Sequence, residues 1–336
     1  MEVAVLILTH GRVELLKECL KSIQSQKNQP FKIRHYLLIN GKDEETASWL
    51  EEQNINYMLL NNGIPVGEAR NLLIGQITEE YICFLDDDIV LPDDYFRKAC
   101  NFIRKNPHVD IFGGPDQNTP KSTKFQRCLS FVMESFFATG PTNKRHKLGR
   151  LANSETADEI ALILCNFWAK RKVFNIRRFP KHFRRNEENY LLSILKDSGC
   201  EMRRVPKLYV YHNRKTSVAK LIRVLFLAGT YRSISIIAYP SSFRPWFVVH
   251  HVLLLLLALA AICNVYLFIV FIAAYFLVIF INSILISFKT KRLMDIPMAM
   301  LLFIIFNFVY PVGQAWGYVK GGIDRSRGQS FEEDIF

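Results

Sequence analysis

Residues 246–288 contain no Asp, Glu, Lys or Arg. The hydrocarbon core of a bilayer takes about 20 apolar residues per helix. This run is therefore long enough for two membrane-spanning helices, at about 246–264 and 266–288, that fold back near Asn264. In a soluble protein, apolar surface of this extent would need an equally large partner. We expect a soluble part, a boundary near residue 240, and membrane-anchoring helices over residues 241–320.

A third hydrophobic segment at 296–316 leaves the topology of the C-terminus open. The basic loop Lys289–Arg292 is expected on the cytoplasmic side by the positive-inside rule. That agrees with a cytoplasmic N-terminal part followed by two crossings. A third crossing would carry Lys320 and Arg325 to the opposite side, against the same rule. Either the last segment is re-entrant or the tail over residues 321–336 is translocated.

The stretch Val218–Ile237 is amphipathic, with Lys220, Arg223 and Arg232 among aliphatic residues and Phe. It predicts either a core helix or an interface helix, and its position before the anchor favours an interface helix over residues 218–240. The net charge of +12 adds attraction to anionic headgroups. Since no zinc spacing, RNA-binding aromatic signature or helix-turn-helix pattern is present, the expected partners are membrane lipids and not nucleic acid.

The seven cysteines are odd in number, scattered, and never form a C-x-x-C pair. That argues against a disulfide framework and for a reduced compartment. The apolar stretch Val3–Leu8 is too short for a signal peptide and follows Glu2 instead of a basic cluster. We therefore expect a multi-pass protein of the cell membrane, inner or plasma, whose first 240 residues stay in the cytoplasm.

Strands and helices alternate through the N-terminal part. The hydrophobic pattern predicts strands at 3–8, 33–39, 57–59, 81–85, 109–112, 160–168 and 207–211, and helices at 13–26, 44–52, 67–74, 93–105 and 189–198. Such alternation indicates βαβ units and a mostly parallel sheet. In open α/β sheets, ligands bind beyond the carboxyl ends of the strands. Thr9, Asn40 and Asp86 stand at such ends.

Three adjacent carboxylates, Asp86, Asp87 and Asp88, directly follow the hydrophobic strand at 81–85. They repel one another, and a divalent cation that bridges to a diphosphate relieves that cost. If the strand geometry continues, Asp86 and Asp88 point the same way. The alternative is an acidic turn or a helix cap, which the segment by itself does not exclude.

Three further segments are weaker signals. Arg70, in the first turn of a predicted helix, can hold a diphosphate or a neighbouring carboxylate. Glu187 and Glu188 precede a helical run, where they supply either ordinary capping or a general base. His212 ends a strand, and an imidazole beside two carboxylates suits Mn or a similar ion, although a lone histidine is more often structural.

Taken in order, these segments resemble family 2 glycosyltransferases, the inverting group with the GT-A fold. The resemblance extends over about the first 215 residues, and the order and spacing of its segments are more specific than any one of them. The matching segments are Ile7–Arg12, Gly67–Asn71, the Asp-x-Asp of Asp86–Asp88, Cys165–Arg171, the pair Glu187–Glu188, and Val210–His212.

The resemblance implies a fold and a set of residue roles. The fold is α/β, of the GT-A nucleotide-diphospho-sugar transferase type, with a mostly parallel, Rossmann-like sheet over residues 1–217 followed by C-terminal membrane helices. Glu188 would be the catalytic base, with Glu187 beside it, and Asn166 and Trp168 would lie on the acceptor side. Asp88, Asp86 and His212 would bind a divalent Mn or Mg ion. The nucleotide would be contacted by Thr9, His10, Arg12, Asn40, Arg70, Asp86 and Asp87.

The C-terminal part is also similar to members with a trailing hydrophobic hairpin and a Gly-rich tail, here Gly313–Gly322, which build exported or lipid-linked polysaccharides. The expected activity is transfer of a sugar from a nucleotide-diphosphate donor to a lipid-linked or glycan acceptor at the membrane, by metal-dependent inverting displacement. Two alternatives stay open. One is a nucleotidyltransferase of similar fold, and the other is an inactive membrane scaffold of a polysaccharide assembly complex.

Overall fold

A computed structural model describes residues 1–27, 31–149, 154–214 and 216–326. Among these, residues 1–119 and 144–213 form one compact unit, and residues 120–143 and 214–326 form a second. We call them the sheet unit and the helical unit. The sequence did not indicate that residues 120–143 group with the C-terminal helices.

The sheet unit is built on an eight-stranded sheet and a separate three-stranded sheet. The larger sheet has the order β3-β2-β1-β4-β9-β6-β10-β8, and the smaller has the order β5-β11-β7. The strands are β1 (Glu2–Thr9), β2 (Lys32–Asn40), β3 (Met58–Leu60), β4 (Tyr81–Asp86), β5 (Ile89–Val90), β6 (Ile111–Gly113), β7 (Asp116–Asn118), β8 (Glu155–Thr156), β9 (Asn166–Lys170), β10 (Met202–Arg204) and β11 (Val210–His212).

The first four strands of the larger sheet, β3, β2, β1 and β4, are parallel. Leu8 pairs with Asp86, and Thr9 pairs with Ile39. The carboxyl ends of β1, β2 and β4 therefore meet at one edge, as the alternating pattern predicted. The sheet is mostly parallel and of GT-A type, with β9 inserted antiparallel between β4 and β6.

Helices cover the two faces of this sheet. Val13, Leu16, Leu20 and Ile23 are buried on α1, which confirms the helical spacing read from the sequence. Two core clusters, one on each face, contain alternate residues of β1: Val5 lies in one and Leu6 in the other. The helices of this unit are α1 (Val13–Gln24), α2 (Glu44–Glu52), α3 (Val66–Ile74), α4 (Tyr95–Lys105) and α7 (Glu187–Asp197).

The strand predicted at 160–168 is wrong in position. The observed strand, β9, covers Asn166–Lys170, and residues 159–161 form a turn. The Asp158 carboxylate accepts hydrogen bonds from the backbone N–H of Ile160 at 3.0 Å and of Ala161 at 3.3 Å, which holds the turn. Ile160 and neighbouring apolar residues are buried without strand pairing, so hydrophobicity alone misplaced the strand.

The helical unit contains six helices among its described residues, which are α5 (Lys124–Met133), α6 (Phe136–Thr139), α8 (Val218–Ala238), α9 (Val249–Cys263), α10 (Val265–Thr290) and α11 (Ile296–Ser326). Four segments are long and apolar enough to cross a membrane: Val218–Ala238, Pro245–Cys263, Val265–Thr290 and Leu293–Arg325. The chain breaks between α9 and α10 at Asn264, whose side chain accepts from Tyr266 N at 2.9 Å and Leu267 N at 3.1 Å. The predicted fold-back at Asn264 is therefore a capped helix start.

Glycines bring α8 and α11 into backbone contact. A Cβ at Gly313 would lie 2.2 Å from the carbonyl oxygen of Phe226, and a Cβ at Gly317 would lie 2.2 Å from that of Thr230. One turn further on, a Cβ at Gly321 would lie 2.6 Å from Ile237. Residue numbers rise together along both helices, so α8 and α11 run parallel.

The parallel direction restricts how this unit can meet a bilayer. Four successive complete crossings would make α8 and α11 antiparallel, so these four segments cannot all be complete spans. The two expectations from the sequence, an interface helix at 218–240 and a third crossing at 296–316, also conflict. A helix lying in the membrane plane cannot pack lengthwise along one that crosses it.

Candidate active site

The three consecutive carboxylates at the end of β4 have different surroundings. Asp86 has a side chain that is 40% exposed, whereas those of Asp87 and Asp88 are 0% and 5% exposed. Burial raises the pKa of Asp87 to about 7, although Arg12 opposes the shift. Burial and the charge of Asp88 raise the pKa of Asp86. The chain thus leaves β4 with one accessible carboxylate and two that point inward.

Arg12, in the turn after β1, forms an ion pair with each of the two inward carboxylates. Its Nη2 lies 2.5 Å from Asp87 Oδ1, and its Nη1 lies 2.7 Å from Asp88 Oδ2. Burial acts against the guanidinium, but the charges of Asp88 and Asp87 outweigh it and raise the pKa of Arg12. Thr9, the last residue of β1, is also buried. The β1 turn is therefore bound to the acidic turn in this structure.

His212 joins the acidic turn to a residue that the sequence did not single out. Its Nε2 lies 3.3 Å from Asp88 Oδ1, and its Nδ1 lies 2.7 Å from Asp116 Oδ2. The other oxygen of Asp116 lies 2.6 Å from Nδ1 of His146. Burial disfavours the imidazolium, but Asp88 and Asp116 outweigh it and raise the pKa of His212 well above its usual value.

Two glycines before Asp116 make this arrangement possible. A Cβ at Gly114 would lie 1.7 Å from the carbonyl oxygen of Leu208, so only glycine fits there. The close approach places β7 beside β11, where Val210 pairs with Asp116. Asp116 is fully buried. The sequence analysis did not single out Asp116, although this charged residue directly follows Gly113-Gly114-Pro115.

The donor atoms at this edge fit a divalent cation. One oxygen from each of Asp86 and Asp88 and one nitrogen of His212 lie within 4.8 Å of one another. Two carboxylates and an imidazole suit Mn, and the carboxylates also suit Mg. Asp116, Cys165 and His212 form a second such group. Burial raises the pKa of the Cys165 thiol to about 12.

Arg70 links the end of β4 to the start of α7. Its Nη1 lies 2.6 Å from Glu187 Oε1, and its Nη2 lies 3.9 Å from Asp86 Oδ1. Its guanidinium also lies over the ring of Phe179, at 5.5 Å from the centroid. Burial and the charge of Glu188 raise the pKa of Glu187, while Arg70 opposes the shift. The carboxylate of Glu187 is therefore engaged in an ion pair within the protein.

Glu188 is the more accessible member of the acidic pair. Its side chain is 17% exposed, compared with 7% for Glu187. Its Oε1 accepts a hydrogen bond from Asn189 Nδ2 at 3.0 Å and lies 3.8 Å from Arg145 Nη1. Asn186 before it adopts a left-handed conformation with φ of 65°. The structure thus gives these two neighbouring carboxylates different surroundings.

The remaining expected nucleotide contacts lie at the same edge. Asn40 fixes the backbone of Ile64, before α3, with two hydrogen bonds. Its Nδ2 donates to the Ile64 carbonyl at 2.9 Å, and its Oδ1 accepts from Ile64 N at 3.0 Å. His10 is exposed and lies beside Gly41. Asp43, which the sequence did not single out, accepts from Gly11 N at 2.6 Å and so fixes the β1 turn.

Asn166 and Trp168, expected on the acceptor side, are both 0% exposed. The Tyr95 hydroxyl donates to Asn166 Oδ1 at 2.6 Å, and Trp168 Nε1 donates to the Tyr95 oxygen at 2.9 Å. The Trp168 ring stacks on Phe112 at 5.5 Å between centroids. Both side chains are enclosed by their neighbours in this structure, and their place on the acceptor side stays a prediction.

Comparison with known proteins places the chain in a family. The sequence profile described as "Glycosyl transferase family 2" matches residues 4–177, so the chain belongs to that family and is a glycosyltransferase. A comparison with curated protein sequences gives no match. Family membership decides against the nucleotidyltransferase alternative.

Solved structures show the same fold at low sequence identity. A mannosyltransferase from Pyrobaculum calidifontis, in complex with GDP-Man and Mn2+, is 13% identical with a TM-score of 0.58, covering 94% of this chain and 87% of its own. S. aureus TarS 1–349, in complex with UDP-GlcNAc, is 13% identical with a TM-score of 0.50, covering 96% of this chain and 92% of its own. At this identity the likeness concerns the fold alone.

Proposed function

We propose that the protein transfers a sugar from a nucleotide-diphosphate donor to a membrane-associated acceptor, lipid-linked or polysaccharide, by a metal-dependent inverting displacement. The observation that carries this proposal is the convergence of Asp86, Asp88 and His212 at the carboxyl edge of the sheet, within 4.8 Å of one another. The two structural neighbours were solved with GDP-Man and UDP-GlcNAc. Those two donors are therefore the first to test.

The donor side is assigned to the strand ends. Asp86 and Asp88, with His212, would hold a Mn or Mg ion. Such an ion, when bound, offsets the charge that develops on the leaving diphosphate. Thr9, His10 and Asn40, at or just beyond the ends of β1 and β2, face the nucleoside side in this proposal, and Asp87 acts with them through Arg12. Arg12 and Arg70 hold the carboxylates of this edge in place by the ion pairs described above.

Glu188 is assigned the role of general base. Its carboxylate takes the proton from an acceptor hydroxyl, and the hydroxyl oxygen forms a bond to the anomeric carbon as the bond from that carbon to the diphosphate oxygen breaks. The products are a glycoside of inverted configuration and a nucleoside diphosphate. Glu187 does not compete for this role, because it is buried against Arg70 at 2.6 Å.

The helical unit supports a membrane-associated acceptor. The most exposed apolar surface lies on α9 and α10, for example at Ile262, which is 82% exposed, and Leu285, which is 56% exposed. We assign the two crossings to these helices and place α8 and α11 in the cytoplasmic interface of the membrane. This keeps Lys289, Lys320 and Arg325 in the cytoplasm, in agreement with the positive-inside rule.

A metal-dependent binding assay tests the donor site. The purified full-length protein should gain thermal stability from UDP or GDP only when Mn or Mg is present, because the diphosphate is held through the ion. Asp88→Ala should abolish this gain. Asp93→Ala is the matched control, because Asp93 is an exposed carboxylate that pairs only with Lys27 among the described residues. Equal stabilisation of Asp88→Ala and of the wild type by metal and nucleotide would reject the site.

Product formation tests the reaction itself. With membranes or extracted lipids as the acceptor source and a panel of radiolabelled nucleotide sugars, we expect metal-dependent transfer into the lipid or glycan fraction. Metal-dependent nucleotide binding without transfer or donor hydrolysis would favour the inactive scaffold. Cysteine labelling from either side of the membrane at positions 290 and 320 tests the topology, and labelling of both from the cytoplasmic side is expected.

A further inference from the structure

Arg232 is a buried cation in the middle of the helical unit. It lies on α8 and is 3% exposed. Its Nε and Nη1 atoms have no hydrogen-bond partner among the described residues. Only two acidic residues occur between residues 216 and 326: Asp295, which pairs with Arg292, and Asp324. Because an unpaired buried charge is costly, a buried arginine in an apolar helix indicates a missing anionic partner.

Two further buried polar side chains of the helical unit have no hydrogen-bond partner among the described residues. Ser235, one turn after Arg232 on the same face of α8, has a buried hydroxyl without a partner, and the side-chain amide of Gln314 is fully buried with both of its polar atoms unpartnered in the described part. The two helices meet here, since the hydroxyl of Ser233 donates to the Gln314 carbonyl at 2.8 Å. His251 Nε2 contacts the Pro311 carbonyl at 3.1 Å, one turn before Gln314.

The contact with Phe247 shows which edge of Arg232 is available. The guanidinium carbon lies 4.4 Å from the centroid of this buried ring. A ring that stacks on the guanidinium face covers the face and leaves the N–H groups in the plane unbonded. In that plane a guanidinium matches two oxygens of one phosphate group. The Ser235 hydroxyl and the Gln314 amide are further unpartnered donors of the helical unit.

The surroundings indicate that the phosphate belongs to a lipid. Arg232 lies six residues before the end of α8 at Ala238, which is about 9 Å along a helix. The segment that follows contains Phe243, 41% exposed, and Trp246, 46% exposed. Aromatic side chains of this kind are enriched at the level of lipid headgroups. The unpaired donors are therefore close in sequence and structure to a segment typical of the membrane interface.

We infer that Arg232, Ser235 and Gln314 form a binding site for the phosphate group of a membrane lipid between α8, α9 and α11. The site goes beyond the proposed transferase activity, since it lies wholly within the helical unit and uses none of the residues assigned to the donor or the base. It provides the anion that the buried guanidinium lacks. A bound lipid would also cross-link the two parallel helices.

Thermal unfolding of the purified full-length protein in an uncharged, phosphate-free detergent tests the site. Phosphatidic acid, added in mixed micelles, should raise the melting temperature by about 3 °C or more at a large excess over its dissociation constant. Diacylglycerol, which lacks the phosphate, and inorganic phosphate, which lacks the lipid, should each give no comparable shift. Native mass spectrometry should detect a phospholipid that is retained by the protein.

Matched variants separate the site from general surface charge. Arg232→Gln should lose the shift with phosphatidic acid, and Gln314→Leu should reduce it. Arg223→Gln, which removes an exposed arginine from the same helix, should keep it. The inference is overturned if inorganic phosphate or diacylglycerol reproduces the shift, or if Arg223→Gln loses as much as Arg232→Gln. If Arg232→Gln does not fold, the inference is tested with Gln314→Leu alone. A melting-temperature shift with phosphatidic acid and an amount of retained phospholipid equal to those of the wild type would then overturn it.

Discussion

In the sheet unit, Arg12 and Arg70 are each held against carboxylates, at 2.5 Å from Asp87 and 2.6 Å from Glu187. In the helical unit, Arg232 is 3% exposed, more deeply buried than either of these arginines, and has no carboxylate partner among the described residues. The buried carboxylates of the sheet unit already lie against cationic side chains of the protein. An unpaired cation needs a ligand of opposite charge, so the two regions are suited to different tasks.

The largest effect is expected at Glu188, the accessible carboxylate of the sheet unit. Glu188→Gln removes the group that takes the acceptor proton, and we expect the transfer rate to fall by about 10²- to 10⁴-fold. Metal-dependent nucleotide binding should be unchanged. Glu44→Gln, an exposed acid in the first turn of α2, is the control. A normal rate in Glu188→Gln would remove it from the mechanism.

The next effect concerns the buried pair of Arg70 and Glu187. Arg70→Met leaves Glu187 buried and uncompensated, so the free energy of unfolding should fall by about 3–5 kcal/mol. The double variant Arg70→Met/Glu187→Met should recover much of this loss, because neither charge remains. Arg97→Met, which breaks an exposed pair with Asp94, should cost at most about 1 kcal/mol.

These losses are measured by denaturant or thermal unfolding of the sheet unit within the full-length protein. Additive losses in the double variant would show that Arg70 and Glu187 do not act as a pair. In that case the contrast with Arg232 would no longer hold.

A smaller effect is expected from Asp116, which lies behind His212. Asp116→Asn removes the charge that orients the imidazole, and we expect the affinity for Mn to fall by about 10- to 100-fold. The transfer rate should recover at saturating Mn, since the ligands themselves remain. Titration of Mn binding by electron paramagnetic resonance measures this, with Asp94→Asn as the control. Unchanged Mn affinity would make Asp116 a structural residue only.

The smallest effect is expected from Arg232 in protein stripped of lipid. Because no carboxylate is left uncompensated, Arg232→Leu should change the free energy of unfolding by no more than about 1 kcal/mol and can increase stability. Thermal unfolding after delipidation measures this. A loss of unfolding free energy as large as that of Arg70→Met would mean that Arg232 has a partner within the protein. Buried charges would then be paired in both units.

Local sequence patterns predicted most elements of the sheet unit but not the paths between them. Alternation and helical spacing placed β1, α1 and β2 within two residues of their observed ends. They failed at 160–168, because a buried turn and a buried strand are rich in the same types of apolar residue. They also left 116–160 without assignment, where short elements such as β7 are fixed by contacts with distant segments.

The same limit applies to the site. Asp86, Asp88 and His212 were predicted together because the family resemblance gives their order along the chain. Asp116 was not, since its role depends on the close approach of Gly114 to Leu208, 94 residues later. Asn166 and Trp168 matched the resemblance in sequence, yet β9 lies between two other strands and buries both side chains.

The sequence alone determined the type of structure in each part of the chain. The first part forms parallel strands with acidic residues at their carboxyl ends, and the second forms helices that are too apolar to be exposed to water. Local spacing and the solvent preference of side chains are enough for that. Tertiary structure decided which charges meet. It paired Arg12 and Arg70 with carboxylates, set α8 parallel to α11, and left Arg232 without a partner, because burial and pairing depend on residues that are far apart along the chain.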